Sequence, residues 1–155
     1  MLTKSNFVIV TLVFLTALAG SLVTARGMDW YRTIQVPAWT PGGNVIGTVW
    51  TVLFVLAAVS IIVYWTHARR GREFRRVIGG FVVNGLLNVG WSVTFFGLHL
   101  VGPAVLVSAA LAANVAWLIW QVRPTSRAAS WLLAPYFAWV CFATYLTFAI
   151  WRPNG

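Results

Sequence analysis

The sequence predicts an all-α integral membrane protein, a bundle of five transmembrane helices. Of its 155 residues, 60% are hydrophobic and only 8% are charged, whereas a soluble domain carries roughly a quarter charged residues. Mean hydropathy is +0.82. Five stretches reach about 20 apolar residues, the length that crosses a bilayer, and none of the five holds a charge. The arginines concentrate in connectors instead of striping a soluble face, which is the pattern of membrane orientation. A chain of this size forms one domain, residues 1–155.

The first span, 7–25, follows Lys4, and Ala17-Leu18-Ala19 within it resembles a signal-peptide cleavage site. The apolar run continues through Val23, beyond a signal core, so a retained helix is expected. A connector, 26–44, leads to the second span, 45–65, and the basic connector 66–76 leads to the third, 77–97. After a short link, Gly102-Pro103 reads as a tight turn with Pro103 at the first helical position, where its missing N–H costs nothing. The fourth span, 103–122, stops before Pro124, and the fifth, 129–151, contains Pro135, which is expected to kink it.

Alternating the connectors places Lys4, Arg69, Arg70, Arg72, Arg75, Arg76, Arg123 and Arg127 on one side and Arg26, Arg32 and Arg152 on the other. This asymmetry sets the amino terminus in the cytoplasm and the carboxyl terminus and loop 26–44 outside, in a membrane of the bacterial inner type. The balance of 11 basic against 2 acidic residues is thus explained by the lipid bilayer, and no nucleic-acid partner is expected. The single cysteine, Cys141, cannot form an intrachain disulfide.

The 10 tryptophans are too many for an interfacial belt alone. A belt accounts for Trp65, Trp117, Trp120, Trp131 and Trp151, which lie near span ends. Counted from the outer ends, however, Trp50 lies about 8 Å deep, Trp91 about 9 Å and Trp139 about 18 Å. Their neighbours share helix faces: Phe54 with Trp50, Asn84 and Asn88 with Trp91 and Phe95, and Pro135, Trp139, Ala143 and Leu146 in a third stripe. Indole N–H and carboxamide groups in hydrocarbon need partners, so these faces turn inward, either to bind helices together or to line a cavity. Above them lies "WYRTIQVPAWTP", residues 30–41. Stiffened by Pro37 and Pro41, this stretch with Trp30, Tyr31 and Trp39 is suited to roof such a cavity; the other reading lays it on the membrane surface.

No catalytic constellation is present. The carboxylates Asp29 and Glu73 fall on opposite sides of the membrane, as do His67 and His99, so paired acid–base chemistry has no partners. Both histidines read as solvated surface residues, and neither a metal site nor a cofactor is implied. No ionisable relay lies within a span, which argues against proton-driven export. Passive translocation and light-driven or oxidative chemistry at tryptophan remain open, so the sequence does not decide whether the protein is an enzyme.

At these residues the chain resembles the translocator protein family, also called tryptophan-rich sensory proteins or peripheral-type benzodiazepine receptors. "WYRTIQVPAWTP" followed by "VWTVLF", then "NVGWSVTFFG" and "PYFAWVCFATYLTFAIWRPN" are similar to its first loop and its second, third and fifth helices, in order. The resemblance implies a five-helix bundle, often a homodimer, that binds porphyrins or other tetrapyrroles and in some members sterols or benzodiazepine-type drugs. It implies a pocket of Tyr31, Pro41, Trp50, Phe54, Asn88, Trp91, Trp139, Phe142 and Ala143, to which the same loop and faces add Trp30, Ile46, Phe95 and Leu146. The leading expectation is a membrane binding protein for flat tetrapyrroles with a sensory, sequestering or transport role. The alternatives are an enzyme degrading porphyrins or a passive translocator. Thr147 replaces an asparagine found in many relatives, and a sterol-type Tyr-to-Arg spacing fails at Tyr145 and Arg152.

Overall fold

A computed structural model describes residues 3–155. The fold is the expected one: α1 (Lys4–Tyr31), α2 (Gly43–His67), α3 (Arg72–Ser92), α4 (Val101–Val122) and α5 (Arg127–Asn154), with a π-helical turn (Val93–Gly97) closing α3. Each of the five, α3 together with its π turn, is long and apolar enough to cross a membrane. Their packing closes a ring in the order α1, α2, α5, α4, α3 and back to α1. The long loop 32–42 and the link 98–100 lie at one end of this ring, and the arginine-rich connectors lie at the other.

Caps explain several boundaries. Thr3 Oγ1 accepts the Asn6 N–H at 3.2 Å to start α1, and Ser126 Oγ accepts the Ala129 N–H at 3.2 Å to start α5. Helices α1 and α5 extend past the apolar runs that mark them. Residues 26–31 contain no proline, so α1 runs on through Trp30 and Tyr31. Gly27 lets it do so while touching the π turn, since a Cβ there would lie 2.6 Å from Phe96 Cβ. The connector expected over 26–44 is therefore only 32–42. Pro103 also sits later than expected: α4 begins at Val101, so Pro103 is the third helical residue. Its missing N–H still costs nothing, because the first four amides of a helix have no partner within it. α5 is continuous through Pro135 and Pro153.

The main core fills the middle and arginine end with Leu53, Tyr64, Val77, Val115, Leu118, Leu133 and Val140. A second, smaller cluster at the loop end holds Phe95, Phe96, Val101, Ala104 and Ile150, with Trp30, Tyr31, Trp91 and Leu146 against it. Polar bonds tie the main core across helices: Ser60 Oγ donates to the Ala129 carbonyl at 2.8 Å, and Ser130 Oγ to that of Ile119 at 3.1 Å. By contrast, α1 buries only Ile9 and Gly27 and exposes Phe7, Leu12 and Phe14, as suits a helix bathed in lipid.

Candidate ligand-binding site

A chain of hydrogen bonds through one buried hydroxyl, that of Tyr136 on α5, joins three helices, and a fourth packs on the ring of the same residue. Asn88 Nδ2 on α3 donates to it at 2.7 Å, and it donates to Asn84 Oδ1 at 3.0 Å. Asn84 Nδ2 continues to Asn114 Oδ1 on α4 at 2.9 Å, and Asn114 Nδ2 ends the chain on the Gly80 carbonyl at 3.1 Å. Trp50 on α2 sets its ring edge-on to Tyr136, with centroids 6.1 Å apart, and Phe54 follows at 5.8 Å. Asn84 thus binds helices together, and Asn88 is tied into the same chain. Gly80 is buried against Trp117, which brings α3 and α4 close enough for Asn114 to reach that carbonyl.

Toward the loop end, Trp91 stacks on Phe95 at 5.2 Å and meets Phe96 edge-on at 5.8 Å. The π turn, in which the Leu98 N–H bonds the Val93 carbonyl at 2.8 Å, buries both phenylalanines. Trp139 on α5 lies 5.2 Å from Phe142. The indole N–H groups of Trp91 and Trp139 are both buried and find no hydrogen-bond partner among the described residues, contrary to the expectation that such groups are satisfied inside the bundle. A groove of about 490 Å3 between α2 and α5 is lined by Val49, Val52, Leu53, Pro135, Trp139 and Phe142, among others.

The expected site residues divide between the two hydrophobic clusters. Trp50 and Trp139 pack on the main core, whereas Trp30, Tyr31, Trp91, Phe95 and Leu146 belong to the loop-end cluster. The α5 stripe Trp139, Ala143 and Leu146 runs from one to the other. Ile46 and Pro41 are half-buried at the start of α2 and just before it.

Trp30 and Tyr31 are not loop residues. On the last turn of α1, Tyr31 faces Phe96 at 5.7 Å. Trp30 stacks flat on His99, with centroids 4.2 Å and planes 12° apart. His99 is exposed as expected, but it is also a stacking partner, held at a φ of 59° in the short link before α4. The loop proper reaches α5 through Trp39, which stacks on Tyr145 at 5.6 Å and meets Phe142 at 6.0 Å.

The belt reading fits Trp120 and Trp131, which are 71% and 75% exposed. Trp65 and Trp117 instead lie under arginines: Arg70 over Trp65 at 4.5 Å and Arg76 over Trp117 at 5.6 Å. Among the described residues no cluster of His, Cys, Asp or Glu is placed to hold a metal.

A sequence model of the TspO/MBR family matches residues 7–152. The chain belongs to the TspO/MBR family. It is similar to the tryptophan-rich protein TspO of Bacillus cereus, at 31% identity over 97% of each chain. It is also similar to the human translocator protein, at 37% identity over 85% of this chain and 79% of that one. The tryptophan-rich protein TspO of Archaeoglobus fulgidus is 33% identical over 88% of both. With its five apolar helices, this member of the TspO/MBR family is an integral membrane protein.

Two contributors to the site escaped the sequence reading. Asn114 carried a signal, as an amide in the middle of the apolar run of α4, since a polar residue there needs a partner on another helix. Tyr136 stood next to Pro135 and three residues before Trp139, but periodicity alone does not say which neighbour its hydroxyl meets.

Proposed function

We propose that this chain binds tetrapyrroles, such as porphyrins, and similar flat hydrophobic ligands between the loop-end halves of its helices. The observation that carries this reading is the pair of buried, unpartnered indole N–H groups, Trp91 Nε1 and Trp139 Nε1. A buried donor left unmade costs about 1–3 kcal/mol, and two such donors, on α3 and α5, are a cost that a ligand's acceptors would remove. Trp50, Phe54 and Phe142 offer ring faces for stacking, Phe95 backs Trp91, Asn88 adds a polar contact, and small Ala143 leaves room beside Trp139. Ile46, Pro41 and Leu146 close the ends, and Trp39 reaches Phe142 from the loop at 6.0 Å. The apolar groove between α2 and α5 suits entry of a lipid-soluble ligand from the bilayer. Such a ligand gains little hydrophobic free energy on leaving lipid, so stacking at about 0.5–1.5 kcal/mol per ring points to roughly micromolar affinity, near −8 kcal/mol.

Absorbance titration of the detergent-purified protein with a porphyrin panel, in light and in dark, tests this. Saturable binding with an intact Soret band supports a binding protein. Progressive loss of that band, dependent on protein and light, identifies an enzyme instead, and absence of saturable binding rejects the site.

A further inference from the structure

Most of the arginines stand at one end of the bundle: five between Arg69 and Arg76, with Arg123 and Arg127 in the other connector of that end. All of these are exposed. Glu73 is the one acid there, and the only ion pair among the described residues, Arg32 with Asp29, lies at the opposite end. Orientation in a bilayer needs positive charge and nothing more. Two of these arginines are held more closely than that.

Arg70 lies over an aromatic seat built from α2 and α3. Phe74 stacks on Tyr64, with centroids 6.1 Å and planes 7° apart, and Trp65 meets Phe74 edge-on at 5.0 Å. The guanidinium carbon of Arg70 is 4.1 Å from the Phe74 ring centre and 4.5 Å from that of Trp65. Arg76 has a second seat, on α4. It shares a face of α3 with Gly80, four residues on, and a Cβ at Gly80 would overlap the Trp117 ring. The bare glycine lets that indole lie against α3, and Arg76 rests over it at 5.6 Å. A guanidinium held by a ring keeps its N–H fork, which matches the paired oxygens of a phosphodiester. The one arginine side-chain hydrogen bond among the described residues is that of Arg32 to Asp29, so both forks are free of protein acceptors.

The depth suits a lipid headgroup. Trp120 and Trp131, toward the same end on α4 and α5, are 71% and 75% exposed, as indoles at the headgroup boundary are. We propose that Arg70 and Arg76, seated on Trp65–Phe74 and on Trp117, bind the phosphodiester of an anionic glycerophospholipid of the phosphatidylglycerol class. A zwitterionic lipid carries the same phosphate beside a cation of its own, which the surrounding arginines repel. Those neighbours supply the attracting field, and the two seated forks supply the recognition.

The test places the full chain in phosphatidylcholine bilayers with a trace of nitroxide-labelled phosphatidylglycerol or phosphatidylcholine, and reads the ratio of the two labels' association at the protein surface. Wild type should favour phosphatidylglycerol about fivefold, the worth of about one arginine near an anionic headgroup. Arg70→Ala with Arg76→Ala should bring the ratio close to one. Arg69→Ala with Arg123→Ala removes the same charge from arginines that lie over no ring, and should keep most of the preference. Equal losses in the two pairs would leave only a diffuse field and overturn the site, as would a wild type with no preference. Trp65→Leu keeps every charge and should lower the ratio about twofold, the worth of an exposed cation–π contact; an unchanged ratio would overturn the role of the ring. Inorganic phosphate replacing chloride at equal ionic strength should leave the ratio in place, and its collapse would assign the forks to a soluble phosphate instead.

Discussion

Asn154, the last residue of α5, holds the backbone of Gln35 from both sides. Its Oδ1 accepts the Gln35 N–H at 3.0 Å and its Nδ2 donates to the Gln35 carbonyl at 2.7 Å. A second bond from the same Nδ2 to the Ile150 carbonyl, 2.7 Å, fixes the carboxamide to its own helix. The side chain therefore acts as a short strand edge for the loop, and Trp39 stacks on the same helix two turns earlier. Both contacts fasten loop 32–42 to α5.

Removing the clamp should free the loop without unfolding the bundle. Asn154→Ala loses both bonds to Gln35, roughly 1–2 kcal/mol of local stability. Hydrogen exchange across residues 33–40 should accelerate about tenfold, while protection within α4 stays as in wild type. Exchange that is unchanged in the loop would show that Trp39 and the prolines hold it alone.

Much of the bundle was legible because membrane spans obey two strong constraints, length and the satisfaction of backbone groups. All five helices lie where the apolar runs lie. Their ends were less legible, since an apolar run marks the bilayer and not the helix: α1 and α5 extend beyond their runs to Tyr31 and Asn154. The aromatic stretch from Trp30 to Pro41 read as one loop because proline and tryptophan density hid where the helix stops. Of the site, the inward faces of Trp50, Asn88, Trp91 and Trp139 followed from spacing. That Asn88 meets Tyr136, and that two indoles go without partners, depends on how the helices are ordered around the ring, which periodicity does not carry.

Orientation is testable directly. Five arginines between Arg69 and Arg76, against one acid, Glu73, should hold that connector in the cytoplasm. Reporter fusions at Gly71 and Gly155 should report opposite sides, with Gly71 inside. A Gly71 reporter outside the cytoplasm would reverse the assignment of the aromatic loop as well.

Dimerisation through α3 is expected on one narrow outward face, where small residues let backbones approach. Gly80 packs on Trp117 and Gly85 on Thr16, so both serve the protomer itself, whereas a side chain added at Gly79 or Gly90 would meet open space. Val83 and Leu86 lie exposed between these two, giving one outward stripe on which a second copy's backbone can approach closely. In a Cys141→Ser background, single cysteines at Gly79, Val83 and Leu86 should cross-link. Cross-links confined to the outward alanines Ala109 and Ala113 of α4 would place the interface there instead.

Ala143 gives the sharpest test of the site. It sits one helical turn beyond Trp139 on α5, half-buried, between a residue of the main core and Leu146 of the loop-end cluster. If a tetrapyrrole occupies the space between the clusters, a phenyl ring at this position fills what the ligand needs. Ala143→Phe should then abolish porphyrin binding while the protein remains monodisperse. Trp139→Ala removes a stacking plane and should weaken binding by about 1 kcal/mol, roughly fivefold. Trp120→Ala, at an exposed position on the arginine-end half of α4, should bind as wild type does. Porphyrin binding that survives both α5 substitutions unchanged would make these tryptophans packing residues and leave the bundle without a site at this depth.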